Sequence, residues 1–126
     1  MEISLKEYLA KNAEYVVLKK IIKIGDFIME FYTKVAGVTF DNRQRLIRRM
    51  SVGERVSLVR DPYNPYDSNA IKVINSNGDQ IGFIAKELAS SMAYQMDSGT
   101  IFSATVSNIT GLNPGENMGV NLHITY

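Results

Sequence analysis

The sequence predicts a mainly β (α+β) domain, a small antiparallel barrel or barrel-like sheet of about six strands with two or three attached helices. Three observations support this prediction. Short segments alternate apolar and polar residues, an Asn-Gly pair at 77–78 separates two of them, and no run of strand–helix–strand units is present. A doubly wound parallel fold would need such units.

Residues 4–24 are predicted to form an extra N-terminal helix. Ser4 and Glu7 have the spacing of a capping box, and Gly25 stands where a helix C-terminal cap belongs. Apolar residues occupy more than one face of this segment, which predicts that the helix packs on the body of the domain or joins a homodimer. The predicted division is therefore 1–25, the N-terminal helix, and 26–126, the barrel domain.

The remaining elements follow from periodicity and turn residues. In 27–38 the residues Phe27, Met29, Phe31 and Val35 share one face, which is typical of a half-buried strand. Asn77-Gly78 predicts a hairpin between two apolar runs. The predicted strands are 27–38, 55–60, 70–75, 80–85, 101–109 and 120–126, and the predicted helices besides the first are 41–50 and 86–99.

The helix at 41–50 is predicted to be capped by Asp41 or Asn42 and to point its arginines outward. All six arginines of the chain lie between Arg43 and Arg60. The window 41–60 carries six arginines against two acids, a net +4, whereas the other residues hold eight lysines against eleven acids, a net −3. The nearly neutral chain therefore contains a basic segment.

Several classes of function are disfavoured. The chain has no cysteine, which excludes disulfides, thiolate nucleophiles and thiolate zinc sites and fits a reducing compartment. Its one histidine, His123, lies in a predicted strand, and no phosphate-binding glycine loop is present. We therefore predict no enzyme activity, no catalytic residue, no metal site and no cofactor.

Localisation is predicted to be cytoplasmic, without a membrane partner. The N-terminal segment MEISLKEYLAKNAEY carries charges throughout and lacks an apolar stretch followed by a small-residue cleavage site. No stretch approaches the ~20 apolar residues of a membrane span.

Residues 60–71, RDPYNPYDSNAI, concentrate stiff and hydrogen-bonding residues in one loop. The prolines fix the backbone, and the Asp and Asn residues can close local Asx turns. A role as a stiff connection between strands does not explain why the loop contains Tyr63 and Tyr66. A rigidly held aromatic ring is a good stacking surface for a base, which would explain them. A carboxylate in such a loop would repel phosphate and prefer a sugar hydroxyl or an amino group.

At these residues the chain resembles the HIRAN domain family. The matching segments are VAGVTFDNRQ (35–44), LVRDPYNPYDSNAIKV (58–73), GDQIGFIAKELA (78–89), ITG (109–111) and GVNLHI (119–124). The resemblance covers about the last three quarters of the chain. Within the family, the chain resembles the small members of the stand-alone bacterial type. Other HIRAN domains lie at the N-termini of eukaryotic chromatin-remodelling-type helicases of DNA damage tolerance.

The resemblance implies an OB-like barrel that binds single-stranded DNA at a free 3′-hydroxyl end, in DNA repair or replication-fork processing. It implies that Tyr66 stacks a base and that Asn64 and Asp67 bond the terminal nucleotide. Lys86 matches a lysine that contacts phosphate. Thr39 and Phe40 stand where the eukaryotic member has an Arg-Tyr pair.

The lost arginine at Thr39 is predicted to be replaced by the basic segment, with Arg43 and Arg45 as its candidate DNA contacts. Two other readings stay open. The barrel could be a protein-interaction or regulatory module that has lost DNA-end recognition, or an accessory domain that works beside a helicase or nuclease partner.

Overall fold

The chain folds as seven strands and two helices in the part that the structure describes. This computed structural model describes residues 17–23 and 26–126, with side chains from residue 28 onward. The elements are β1 (Val17–Lys23), β2 (Asp26–Ala36), α1 (Arg43–Ile47), β3 (Arg55–Arg60), β4 (Ile71–Ile74), β5 (Gln80–Ile84), α2 (Lys86–Asp97), β6 (Ser103–Thr110) and β7 (Gly119–Thr125).

Six of the strands form a closed antiparallel barrel. Around the barrel the order is β2-β5-β4-β3-β6-β7, and β7 returns to pair with β2. The barrel closes where residues 30–34 of β2 pair with residues 121–125 of β7. The C-terminal end of β2 pairs with β5 through Val35 and Ala36. The predicted mainly-β barrel with attached helices is confirmed.

The predicted helix at 4–24 is wrong over residues 17–23, which form β1. All seven residues of β1 pair with β2, from Val17 opposite Tyr32 to Lys23 opposite Asp26. Val17, Ile21 and Ile22 are β-branched, and such residues favour strands when a partner strand is present. Residues 4–16, including the predicted capping box, lie outside the described residues.

The barrel interior holds one apolar core. Alternate residues of the strands supply it, together with one face of α2, where Leu88 and Met92 are fully buried as their spacing of four predicts. The largest fully buried side chains are Phe31, Ile47, Ile71, Ile81, Leu88, Met92, Leu122 and Ile124. Among the described residues there is no helix with the length and apolar character to cross a membrane.

The seam between β2 and β7 carries the single histidine. His123 lies opposite Tyr32 in the register, and their rings stack with centroids 4.8 Å apart. His123 Nε2 and Glu30 Oε2 are 2.7 Å apart and form a hydrogen bond across the seam. The pair joins the two strands that close the barrel, which is a structural role.

Two local features follow from glycines. Gly78 has a φ of +89° in the tight turn between β4 and β5, as the Asn-Gly pair predicts. Gly82 lies where β5 approaches β2 so closely that a Cβ would clash with the carbonyl oxygen of Ala36 and lie 2.5 Å from Val35 Cγ1. The absence of a side chain at Gly82 therefore allows these two strands to pair.

Candidate functional site

A pocket of about 670 Å³ opens where β2 and β5 end. Five segments contribute to it: the end of β2 with the turn that follows, the first residue of α1, the loop between β3 and β4, the end of β5, and the first residue of α2. The lining residues are Ala36, Gly37, Phe40, Asp41, Arg43, Asn64, Tyr66, Asp67, Ala70, Phe83, Ile84 and Lys86.

The loop at residues 61–70, here called the β3–β4 loop, is organised around Asn64. Asn64 Nδ2 donates to Asp61 Oδ2 at 3.0 Å, and Asn64 Oδ1 accepts from the backbone N–H groups of Tyr66 and Asp67 at 2.9 and 3.2 Å. The carboxamide thus satisfies three polar groups of its own loop, and the Asx turn predicted from the sequence is confirmed here. Asn64 braces the loop from within.

Asp67 continues this pattern, lines the pocket and keeps one carboxylate oxygen without a partner among the described residues. Its Oδ1 accepts from Asn69 N–H at 2.9 Å, and its backbone carbonyl accepts from Ala70 N–H. Within residues 28–126 its Oδ2 has no donor, so this atom can accept a hydrogen bond from a ligand. The neighbouring Tyr66 is 90% exposed, which leaves the whole ring available for stacking.

Arg60 anchors the end of the β3–β4 loop. Its Nη1 donates to the carbonyl of Ala70 and its Nη2 to that of Ser68, while Nε and Nη2 bond the carboxylate of Asp97 at the end of α2. These hydrogen bonds from Arg60 hold the pKa of Asp97 below its ordinary value. The charge of Arg60 is therefore engaged with the protein.

The opposite wall of the pocket is the turn at residues 37–43. Gly37, Asp41 and Asn42 have φ values of +70°, +54° and +63°, and for the last two this conformation is uncommon because they carry a Cβ. The predicted helix at 41–50 spans only Arg43–Ile47, and Asn42 precedes it without a side-chain capping bond. The predicted cap is thus not formed.

Arg43 does not point outward as predicted. It is 7% exposed, its Nη1 donates to the carbonyl of Gly37 at 2.7 Å, and its guanidinium lies over the Phe83 ring at 5.4 Å from the centroid. A second nitrogen, Nη2, reaches Asp41 Oδ2 at 3.2 Å. The left-handed turn at 41–42 directs the chain so that this arginine enters the pocket, whereas Arg45 stays exposed as expected.

The structure brings together most of the predicted site residues. The pocket is lined by Phe40, Arg43, Asn64, Tyr66, Asp67 and Lys86, whereas Thr39 and Arg45 are exposed and do not line it. Sequence reasoning missed Asp41 and Phe83 as lining residues. Asp41 directly follows Phe40, and Phe83 lies in the segment Q-I-G-F-I that carries part of the family resemblance. Both residues could therefore have been predicted from the sequence.

The pocket combines stacking surfaces with charges of both signs. Phe40 is 67% exposed beside it, and Phe83 forms part of the wall. Lys86 is exposed at the start of α2 and makes no ion pair among the described residues. Aromatic faces bind flat rings, and the Asp67 oxygen accepts hydrogen bonds from hydroxyl or amino groups. The cationic side chains of Arg43 and Lys86 attract phosphate.

Comparison with known proteins gives this site its context. The family model of the HIRAN domain matches residues 28–125. The helicase-like transcription factor of Homo sapiens is 44% identical over 73 residues, which are 58% of this chain and 7% of that protein. The chain thus spans a small part of that relative.

Solved structures show the same fold. The crystal structure of the HIRAN domain of human HLTF superposes with a TM-score of 0.61 at 32% identity, covering 89% of this chain and 78% of that one. The NMR structure of the HLTF HIRAN domain in its DNA-bound conformation gives a TM-score of 0.53 at 31% identity, covering 92% of this chain and 81% of that one.

Proposed function

Because this chain belongs to the HIRAN domain family, we propose that it is a non-enzymatic module that binds single-stranded DNA at a free 3′-hydroxyl end. The observation that carries the proposal is the pairing, in one pocket, of the exposed Tyr66 ring with the unbonded Oδ2 of Asp67. The DNA-bound conformation of the HLTF HIRAN domain supports DNA as the ligand.

In this proposal each part of the pocket has one task. Tyr66 stacks the terminal base, with Phe40 as a second aromatic surface at the pocket. Asp67 Oδ2 accepts a hydrogen bond from the terminal hydroxyl, Lys86 contacts a strand phosphate, and Asn64 holds the first two in place. Arg45 and Thr39, outside the pocket, add only peripheral contacts along the strand.

The hydroxyl end is expected to bind more tightly than a phosphorylated end. A 3′-phosphate brings two negative charges against the Asp67 carboxylate, and like charges at close range cost affinity. Fluorescence anisotropy at low salt should show at least a tenfold preference for a short labelled strand with a 3′-hydroxyl over the same strand with a 3′-phosphate. Equal affinity for the two strands would remove end recognition from the proposal.

Tyr66→Ala is expected to weaken single-strand binding by roughly 5- to 150-fold, since a base stacked on an aromatic ring contributes about 1–3 kcal/mol. Tyr63→Ala is the matched control, because Tyr63 is 94% exposed in the same loop and does not line the pocket. Asp67→Ala should abolish the preference for the hydroxyl end. If neither pocket variant changes binding, the pocket is not the DNA site.

A protein-interaction module on the same barrel is the second candidate. Large apolar side chains outside the pocket are exposed, including Ile101 at 84% and Leu112 at 74%. We also propose a helicase or nuclease partner and a homodimer formed through the N-terminal segment. We propose in addition that the chain acts in DNA repair or replication-fork processing. Failure of the wild-type chain to bind any strand would favour this candidate.

A further inference from the structure

Arg43 is a nearly buried cation with spare hydrogen-bonding capacity. A guanidinium has five N–H groups, and here one is bonded to Gly37 O and one to Asp41 Oδ2. Within the described part of the chain the other three have no acceptor. A ligand that supplies acceptors to these donors would gain charge-assisted hydrogen bonds at this position.

The contacts of Arg43 hold the guanidinium in a fixed place on the pocket wall. Phe83 lies beneath it, and the Gly37 carbonyl fixes Nη1 at 2.7 Å. A Cβ at position 37 would lie 3.1 Å from Nη1, so the missing side chain of Gly37 leaves room for this contact. A pre-positioned guanidinium loses little entropy on binding, and its planar fork matches phosphate oxygens.

The counter-ion of Arg43 is held much less firmly. The Asp41 side chain is 81% exposed, and only one of its oxygens reaches the guanidinium, at 3.2 Å. A carboxylate that lies in water and makes a single contact is held less firmly than one in a buried, bidentate pair. The carboxylate can therefore move into solvent at small cost, which would free Nη2 for another anion.

We infer that Arg43 is a second phosphate-binding group of the pocket, besides Lys86, and that the Asp41 carboxylate occupies it until a strand phosphate takes its place. This inference rests on the proposed binding of strand ends. The terminal nucleotide lies over Tyr66, and its phosphodiester accepts hydrogen bonds from the guanidinium. Asp41 then acts as an internal competitor that lowers affinity for every strand.

Asp41→Asn is the first test, because it removes the competing charge and leaves the contact of Arg43 with Gly37 intact. We expect affinity for the 3′-hydroxyl strand to rise about fivefold, as for the loss of one like charge near the phosphate. Asp79→Asn is the matched control: Asp79 is also exposed, but it lies in the β4–β5 turn away from the pocket. Its affinity should stay within about twofold of wild type.

The second test pairs protein and DNA changes. Arg43→Gln should weaken binding roughly 10- to 100-fold. It should also make the negative slope of log K against log salt concentration shallower by about 0.7, the value for one single-strand phosphate. A strand with one uncharged methylphosphonate at the terminal linkage should bind wild type equally weakly. It should bind Arg43→Gln no worse than the natural strand does, and a thermal melt checks that this variant is folded.

The outcomes separate this inference from the proposed function. If wild type prefers the hydroxyl end but Asp41→Asn leaves affinity unchanged, the exchange of Asp41 for phosphate is wrong and end recognition stands. If wild type binds no strand, both fail. A nucleoside 5′-monophosphate serves as competitor. If it displaces the strand at a concentration comparable to that of the strand itself, the site binds the phosphate of a free nucleotide. That result would overturn the strand phosphodiester as the ligand of Arg43.

Discussion

Gly82→Ala is expected to lower the free energy of unfolding by roughly 3 kcal/mol or more, and the Tm by on the order of 10 °C. The added methyl group would collide with the carbonyl oxygen of Ala36 and lie 2.5 Å from Val35 Cγ1. Both atoms belong to β2, and a backbone carbonyl in a paired strand cannot turn aside as a flexible side chain can. The change forces β5 away from β2.

This variant should also weaken DNA binding in whatever fraction stays folded, because Ala36 and Phe83 pair across the same contact and line the pocket. Gly78→Ala is the matched control for stability. Gly78 has a φ of +89° and no atom within 4 Å of the added methyl, so it carries only a backbone cost of about 1–2 kcal/mol. Similar melting of the two variants would show that the barrel absorbs the clash.

Asn64→Ala is expected to weaken binding of a 3′-hydroxyl strand on the order of 100-fold, although in our proposal the side chain acts through the loop. Three hydrogen bonds at about 1 kcal/mol each disappear, and the Asp61 carboxylate and two N–H groups lose their partner. The loop that presents Tyr66 and Asp67 then samples many conformations. Anisotropy titration and a thermal melt measure the two consequences.

Asn69→Ala is the control within the same loop, because Asn69 bonds Asp67 through its backbone N–H, which alanine retains. A double-mutant cycle separates bracing from direct contact. If Asn64 acts by holding Tyr66, the variant lacking both should bind little worse than Asn64→Ala alone. Additive losses would instead indicate that Asn64 contacts the DNA itself.

The sequence predicted the elements that local interactions determine. The β4–β5 hairpin is an example, because Asn77-Gly78 suits a tight turn whatever surrounds it. The segment at 17–23 shows the limit. Its spacing allowed a helix, but pairing with β2 along seven residues decides its conformation, and periodicity within the segment contains no information about a partner strand.

The candidate site was predictable in part for the same reason. Tyr66 and Asp67 stand in one rigid loop, so their proximity is local. Arg43 was placed outward because charged residues usually face water. Its actual position depends on a left-handed turn at Asp41 and Asn42 and on a carbonyl that becomes available only when β2 ends at the pocket.

The closure of the barrel determines when the site can form during synthesis. All residues that line the pocket lie between Ala36 and Lys86, so the ribosome makes them before β7. Yet residues 30–34 of β2, which lead into the pocket, find their partners at 121–125. A contact of such long sequence separation is costly in chain entropy and forms late. The nascent chain therefore carries every pocket residue before β7 is available to close the barrel, and in our proposal DNA is bound only after that closure.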